Sequence, residues 1–123
     1  MIDLHMHSFY SEDGELAPAK LAEKCAEKGI ITMSVTDHNT VRANAEAKEA
    51  ADLMGISYIP GIEIDCVFEH VNFHVLGYDI DYESRDFYDI EKKIDDQSLR
   101  ASFMMLEKTR SLGFLFSGKA LLY

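Results

Sequence analysis

Strand-like and helix-like segments alternate along most of this 123-residue chain, with only short connections between them. Apolar residues follow a period of two in the strand-like segments and recur every three or four residues in the helical ones. The predicted elements are a strand (Ile2–Met6), a helix (Pro18–Gly29), a strand (Ile30–Thr36), a helix (Val41–Met54), a short strand (Ser57–Ile59), a hairpin (Ile62–Phe68 with Val71–Tyr78) and a long helix (Ser84–Leu112). This order predicts an α/β fold with a mainly parallel sheet, because helices of this kind link strands that run in the same direction.

Turn and capping residues mark the predicted ends of the helices. Pro18 suits the first turn of the first helix, and Gly29 suits the position just after its end. Thr40 is predicted to cap the second helix. The long C-terminal helix would end at Gly113, with a break possible near residues 97–98. The apolar tail that follows carries no prediction.

The formal charge of the chain is strongly negative, at -10, from 22 acidic and 12 basic residues. Binding to duplex DNA depends on Lys and Arg contacts to phosphates, so this charge argues against such a partner. Anionic membrane surfaces are disfavoured for the same reason. The sequence has no recognisable signal peptide and no apolar run long enough to cross a bilayer, so we expect a cytoplasmic protein.

Histidines and a glutamate follow the predicted strands in a recurring way. His5 and His7 are two residues apart on the first strand, so both imidazoles leave the same face. His38 follows the second strand, Glu63 lies just after Gly61 on the third, and His74 lies on the return strand of the hairpin. The carboxyl ends of parallel strands gather on one side, which brings such side chains together. Imidazole and carboxylate ligands suit Zn, Mn or Fe.

Four short stretches, in this order, resemble the motifs of the PHP family, named for polymerase and histidinol phosphatase. They are Asp3–Ser8 followed by Ser11–Gly14, then Val35–Thr40, Pro60–Glu63 and Phe73–Gly77. The family fold is a distorted (βα)7 barrel with two or three metal ions at its C-terminal mouth, and its members hydrolyse phosphate esters. The resemblance covers about the first 80 residues of this chain.

The resemblance implies a ligand set for two or three divalent ions (Zn, Mn or Fe). His5 and His7 would hold one ion, Glu63 would bridge two, and His74 would bind the second. Asp13 and His38 would bind a third. Glu12 competes with Asp13 for this role, and Asp13 is favoured because the family's ligand directly precedes a glycine.

Asp37 is the candidate catalytic residue, since it stands beside a predicted ligand and has a carboxylate with which to orient that ligand or a water molecule. The alternative is a structural role as a turn residue in the loop after the second strand.

The family pattern continues beyond the fourth motif with a further histidine and a later Asp-x-His pair, yet no histidine follows His74. We therefore expect residues 1–83 to form an incomplete N-terminal part of the barrel, and residues 84–123 to be a helical segment resembling the start of an insertion. Three interpretations are open: a truncated phosphoesterase, a natural short protein that completes its core by forming a homo-oligomer, and a non-catalytic remnant.

Two functions follow from the sequence. The first is metal-dependent hydrolysis of a phosphomonoester or phosphodiester, with a small phosphorylated substrate such as a nucleotide or short RNA. The version of the second motif at residues 36–40 resembles that of small stand-alone phosphoesterases. The alternative is a truncated or non-catalytic metal-binding module that needs C-terminal ligands or a partner chain.

Overall fold

The computed structural model describes residues 1–114, which contain five strands and three helices. They are β1 (Ile2–Met6), α1 (Pro18–Glu27), β2 (Thr32–Val35), α2 (Asn44–Leu53), β3 (Ser57–Tyr58), β4 (Gly61–Phe68), β5 (Val71–Tyr78) and α3 (Arg85–Ser111). The chain divides into two compact units, residues 1–91 and the residues from 92 onward. The apolar tail after Phe114 lies outside the described residues.

The first three strands form a parallel sheet in the order β1-β2-β3. β4 and β5 form a separate antiparallel hairpin, in which Glu63 lies opposite Leu76 and Asp65 lies opposite His74. A parallel bridge between His38 and Glu63 places the start of β4 beside the loop that follows β2. The prediction of an α/β fold with a mainly parallel sheet is therefore confirmed for the first three strands, and the hairpin is where it was expected.

The core of residues 1–91 lies between the parallel sheet and the two shorter helices. α1 and α2 pack against each other, and both contact β2. The buried apolar residues are Ala22, Cys25, Ile30, Met33, Val35, Ala43, Ala47, Ala50, Ala51 and Ile56. Five of these are alanines, and their small side chains let the helix backbones approach the sheet closely.

The ends of the helices agree with the sequence in most places. Gly29 has φ +69° directly after α1, and Gly113 has φ +91° after α3, so both occupy the left-handed position expected of a helix-terminating glycine. α2 begins at Asn44 rather than at Val41, and Thr40 accepts a hydrogen bond from the backbone N–H of Arg42 (3.3 Å). The predicted helix cap was therefore wrong, because Thr40 closes a turn that precedes the helix.

α3 is continuous from Arg85 to Ser111, without the break considered near residues 97–98. In the unit from residue 92 onward, this helix exposes Leu99, Phe103, Met104 and Met105. No helix within residues 1–114 is both long and apolar enough to cross a membrane.

Candidate metal centre

The six predicted ligands come from β1 and the loop after it, the loop after β2, the start of β4 and the middle of β5, and they meet around Glu63. His5 lies on β1, and His7 and Asp13 follow it in the loop of residues 7–17. Glu63 is fixed by backbone bonds, because its N–H donates to the carbonyl of Asp37 (3.1 Å) and its carbonyl accepts from the N–H of Asn39 (2.7 Å). This ladder holds the glutamate beside His38, whereas His74 approaches from β5.

The Glu63 carboxylate is the buried centre of the cluster, with only 3% of the residue exposed. Its Oε2 atom lies 2.7 Å from Nε2 of His5 and 3.2 Å from Nε2 of His7. Its Oε1 atom lies 2.6 Å from Nδ1 of His74. One carboxylate oxygen thus faces His5 and His7 and the other faces His74 on the hairpin, as expected of a bridging ligand.

A second group of ligands consists of His7, Asp13 and His38. Asp13 Oδ1 lies 3.3 Å from Nδ1 of His7, and Asp13 Oδ2 lies 3.6 Å from Nε2 of His38. Gly14 permits this loop conformation, since a Cβ there would lie 1.9 Å from the carbonyl oxygen of Ser8. Among the described residues Glu12 belongs to no such group, so the geometry favours Asp13 over Glu12.

A third group, His38, Asp65 and His74, contains a carboxylate that lies outside the four motifs. Asp65 Oδ1 lies 2.8 Å from Nδ1 of His38 and 3.4 Å from Nε2 of His74. The signal was present in the sequence, because Asp65 follows Glu63 by two residues on one strand and so leaves the same face. His5 and His7 have the same spacing.

Asp37 is 1% exposed, and both of its carboxylate oxygens are occupied. Oδ1 accepts hydrogen bonds from the backbone N–H of Ser8 (2.6 Å) and the hydroxyl of Ser11 (3.2 Å), and Oδ2 accepts from the hydroxyl of Ser8 (2.6 Å). Ser11 Oγ in turn accepts a bond from the backbone N–H of His38 (2.7 Å). The two serines, which the sequence analysis did not single out, therefore connect Asp37 to the loop that carries the ligands.

Opposite charges around the cluster shift several protonation equilibria. Burial lowers the pKa of His38, but its hydrogen bond to Asp65 and the nearby carboxylates of Asp65, Glu63 and Asp13 outweigh burial, so the pKa is raised. Burial raises the pKa of Glu63, yet the hydrogen bonds to His5 and His74 and the charge of His38 leave it lowered. The pKa of Asp65 is also lowered, because hydrogen bonds from Asn39 and His38 outweigh its burial.

The donor set fits divalent transition-metal ions. In each of the three groups the ligand atoms lie within 4.8 Å of one another. Two atoms bound to one tetrahedral zinc, each at about 2.0–2.1 Å from the ion, would lie roughly 3.3 Å apart. The separations of 3.2 to 3.6 Å in the first two groups match this spacing, and the shorter ones are hydrogen bonds that an ion would replace. Mixed imidazole and carboxylate donors suit Zn, Mn or Fe better than Ca or Mg.

Comparisons with known proteins agree with this geometry. The model of the PHP domain family matches residues 3–110 of the chain. The chain is 40% identical over 81 residues to the 5'-3' exoribonuclease Rnm of Escherichia coli, an alignment that covers 64% of this chain and 27% of that protein. It is 35% identical over 80 residues to the 3',5'-nucleoside bisphosphate phosphatase of Chromobacterium violaceum, covering 65% of this chain and 28% of that protein. The chain thus spans about a quarter of the length of these curated relatives.

A solved structure shares the fold. A protein from Bifidobacterium adolescentis, described as a metal-dependent phosphoesterase, superposes with a TM-score of 0.76 at 28% sequence identity. The superposition covers 95% of this chain and 40% of that protein. The family resemblance drawn from the four sequence motifs is therefore confirmed.

Proposed function

Because this chain belongs to the PHP domain family, we propose that it serves in the metal-dependent hydrolysis of phosphate esters. The observation that carries the proposal is the convergence of four histidines and two carboxylates, predicted from separate motifs, around the buried Glu63. We further propose that its strands correspond to the first part of a distorted (βα)7 barrel. Nucleotides and short RNA are the substrates we favour, since two of the curated relatives are an exoribonuclease and a nucleoside bisphosphate phosphatase.

Each ligand has a proposed place in a centre of two or three ions. His5, His7 and Glu63 would hold one ion, and Glu63 with His74 would hold a second. Asp13 and His38 would hold a third where it is present. When bound, the ions supply Lewis-acid chemistry that activates water and neutralises phosphoryl oxygens. The residues of this chain fix the positions of those ions and leave one side of the cluster open.

Exposure decides from which side a phosphate would approach. The side chains of His5, His74 and Asp13 are 48%, 51% and 59% exposed, whereas that of Glu63 is 4% exposed. The cluster is thus closed behind Glu63 and open in front. Catalytic zinc sites have three protein ligands and one open coordination position, whereas structural zinc sites have four protein ligands. This supports a role in hydrolysis.

For Asp37 we propose a positioning role, in place of contact with the substrate. Its two oxygens are already occupied by Ser8 and Ser11, so neither faces the open side of the cluster. The carboxylate would orient the loop of residues 7–17 and, through Ser11, the backbone of His38.

A second candidate function is metal binding without hydrolysis. It rests on the ligand groups themselves, because three sets of imidazole and carboxylate atoms, each within 4.8 Å of one another, could hold ions whether or not a substrate is turned over. For such a module we propose a second copy of the same chain as the partner.

Hydrolysis assays with added Mn or Zn separate the two functions. We expect turnover of a chromogenic phosphodiester, a nucleoside bisphosphate or a short RNA, and a loss exceeding about 100-fold in His7→Ala. His70→Asn is the matched control, since His70 is an exposed turn residue with φ +68°, a conformation that asparagine tolerates. A folded, metal-loaded chain with no turnover above that of His7→Ala would overturn hydrolysis and leave the binding module.

A further inference from the structure

We propose that Asp65 is a positioning residue of the metal centre, whose carboxylate holds the His38 ring so that Nε2 is its metal-binding atom. The proposal rests on the proposed function and adds to it a residue outside the four motifs. It concerns the contact between β4 and the loop after β2, where His38 and Asn39 lie.

Asp65 is itself held in place by a reciprocal pair of hydrogen bonds with Asn39. The side-chain amide of Asn39 donates to Oδ2 of Asp65 (2.8 Å), and the backbone N–H of Asp65 donates to Oδ1 of Asn39 (2.9 Å). The second bond fixes which way the Asn39 amide points. Since Oδ2 is occupied, Oδ1 is the oxygen left to contact His38.

The short contact between Asp65 and His38 determines the tautomer of the imidazole. Oδ1 of Asp65 lies 2.8 Å from Nδ1 of His38. An ionised carboxylate only accepts hydrogen bonds, so the proton of this bond belongs to Nδ1. A neutral imidazole then has its lone pair on Nε2. Histidines that bind metals commonly donate their other ring N–H to a carboxylate in this way, which fixes the ring and strengthens the ligand.

This arrangement settles a competition for His38, which belongs to two of the three ligand groups. One lone pair serves one ion, so His38 binds either on the side of Asp13 or on the side of Asp65. The Nε2 side faces Asp13 Oδ2 at 3.6 Å and Glu63 Oε2 at 3.8 Å, toward the centre of the cluster. On the Nδ1 side, His74 is assigned to the ion that it would share with Glu63, through the Nδ1 atom that lies 2.6 Å from Oε1 of Glu63. Nε2 of His74 then carries the proton and points toward Oδ1 of Asp65 (3.4 Å), so it has no lone pair for a second ion. The group that contains Asp65 is therefore a support for the centre and not a separate ion site.

Substitution of Asp65 by asparagine gives a sharp test, because Asn39 dictates the outcome. The Asn39 amide still donates toward the position of Oδ2, so the new oxygen takes that position and the new NH₂ group faces Nδ1 of His38. His38 would then accept at Nδ1 and carry its proton on Nε2, the atom needed for the metal. Asp65→Asn should therefore weaken metal binding more than Asp65→Ala, although it is the more conservative change in shape.

Two measurements on the full chain test these expectations. The first is the ring tautomer of His38 in metal-free, ¹⁵N-labelled protein at alkaline pH, read from long-range ¹H–¹⁵N spectra and assigned with His38→Gln. We expect a proton on Nδ1 in the wild type and on Nε2 in Asp65→Asn. The second is zinc affinity by chelator competition, in which Asp65→Ala should weaken the ion bound through His38 by about 10- to 100-fold at unchanged stoichiometry. Glu49→Ala, which removes an exposed carboxylate from α2, should leave it unchanged.

The results that would overturn the proposal are distinct from those that would overturn hydrolysis. A wild-type proton on Nε2, or loss of one whole ion in Asp65→Ala, would make Asp65 a ligand and contradict the positioning role. Equal affinity in the wild type and both variants would also contradict it, even if the enzyme turned over. A wild-type proton on Nδ1, reversed in Asp65→Asn, would support the contact in a chain that hydrolyses nothing. If Asp65→Ala fails to fold, the His38 tautomers in the wild type and in Asp65→Asn test the proposal without it.

Discussion

At the scale of single residues, the choice between two neighbouring carboxylates decides the composition of the proposed third ion site. Asp13 lies within 3.6 Å of both His7 and His38, whereas Glu12 joins no ligand group among residues 1–114. We expect Asp13→Ala to lower the number or the affinity of bound ions and Glu12→Ala to leave both unchanged. The two variants remove the same charge from adjacent positions, so they control for electrostatics. Metal analysis with chelator competition measures the number and the affinity of the bound ions. Equal losses in the two variants would show that Asp13 is not the specific ligand of this pair.

The protonation of the metal-free cluster predicts an optimum of stability. Protonated His38 interacts favourably with the carboxylates around it, which is why its pKa is raised. This interaction stabilises the fold fully below the ordinary histidine value of 6.5, and the stabilisation is lost as pH rises through the raised pKa. The ionised carboxylates of Glu63 and Asp65, whose pKa values are lowered, stabilise the fold fully above their ordinary values of 4.5 and 3.8. This stabilisation is lost as pH falls through the lowered pKa values. Stability should therefore be greatest between about pH 4.5 and 6.5.

Urea unfolding in the presence of a chelator measures this dependence. The variant His38→Gln keeps a polar side chain of similar size that does not titrate. It should therefore flatten the alkaline side of the plot of stability against pH. The acidic side should persist, because Glu63 still has its bonds to His5 and His74. A wild-type stability that rises steadily above pH 6.5 would contradict the assignment.

All six candidate ligands could be named from the sequence, because each lies within a short motif whose residues are close along the chain. Asp65 and the serines could not, since their roles depend on contacts between segments 26 to 29 residues apart. Asp65 is recognisable as a partner of His38 only when β4 is placed beside the loop after β2. The spacing of Glu63 and Asp65 predicts a shared face, but it does not reveal what that face meets.

At the scale of secondary structure elements, Asn44 connects the start of α2 to the start of β4. Its buried side chain donates to the carbonyl of Gly61 (3.0 Å) and accepts from the N–H of Gly61 (2.9 Å) and the hydroxyl of Tyr58 (2.9 Å). These contacts account for the late start of the helix, because they hold Asn44 at its first turn. The presence of this helix was predictable, whereas its start was not, because the start depends on hydrogen bonds to Tyr58 and Gly61 farther along the chain.

Substitution of Asn44 tests how far that connection stabilises the unit. Asn44→Ala would leave the backbone groups of Gly61 without these partners in a buried position, so we expect a loss of about 2–4 kcal/mol in the free energy of unfolding. Asn72→Ala removes an exposed asparagine from β5 and should change the free energy by less than about 0.5 kcal/mol. Chemical denaturation of both variants gives the comparison, and equal small effects would show that the connection is dispensable.

The two faces of the β4–β5 hairpin differ in chemistry. The strand register places Glu63, Asp65 and His74 on one face. The other face carries Phe68, Val71, Phe73 and Val75, which are 65%, 63%, 43% and 46% exposed. An apolar patch of this kind on a sheet face marks a surface that another surface covers. The hairpin therefore supplies both candidate metal ligands and a candidate contact surface.

At the scale of the whole molecule, that apolar face predicts self-association. Two copies that place the same face together would bury it symmetrically, as in most homodimers. We expect sedimentation equilibrium to give a mass above that of one chain, and Phe73→Lys to shift the distribution toward the monomer, because it puts a charge into the contact. Leu53→Lys adds the same charge at an apolar position that is 83% exposed at the end of α2, so it should leave the distribution unchanged. Metal content should be equal in both variants, since Phe73 faces away from Glu63. A wild-type chain that stays monomeric at millimolar concentration, or equal effects of the two lysines, would show that this face is not where copies meet.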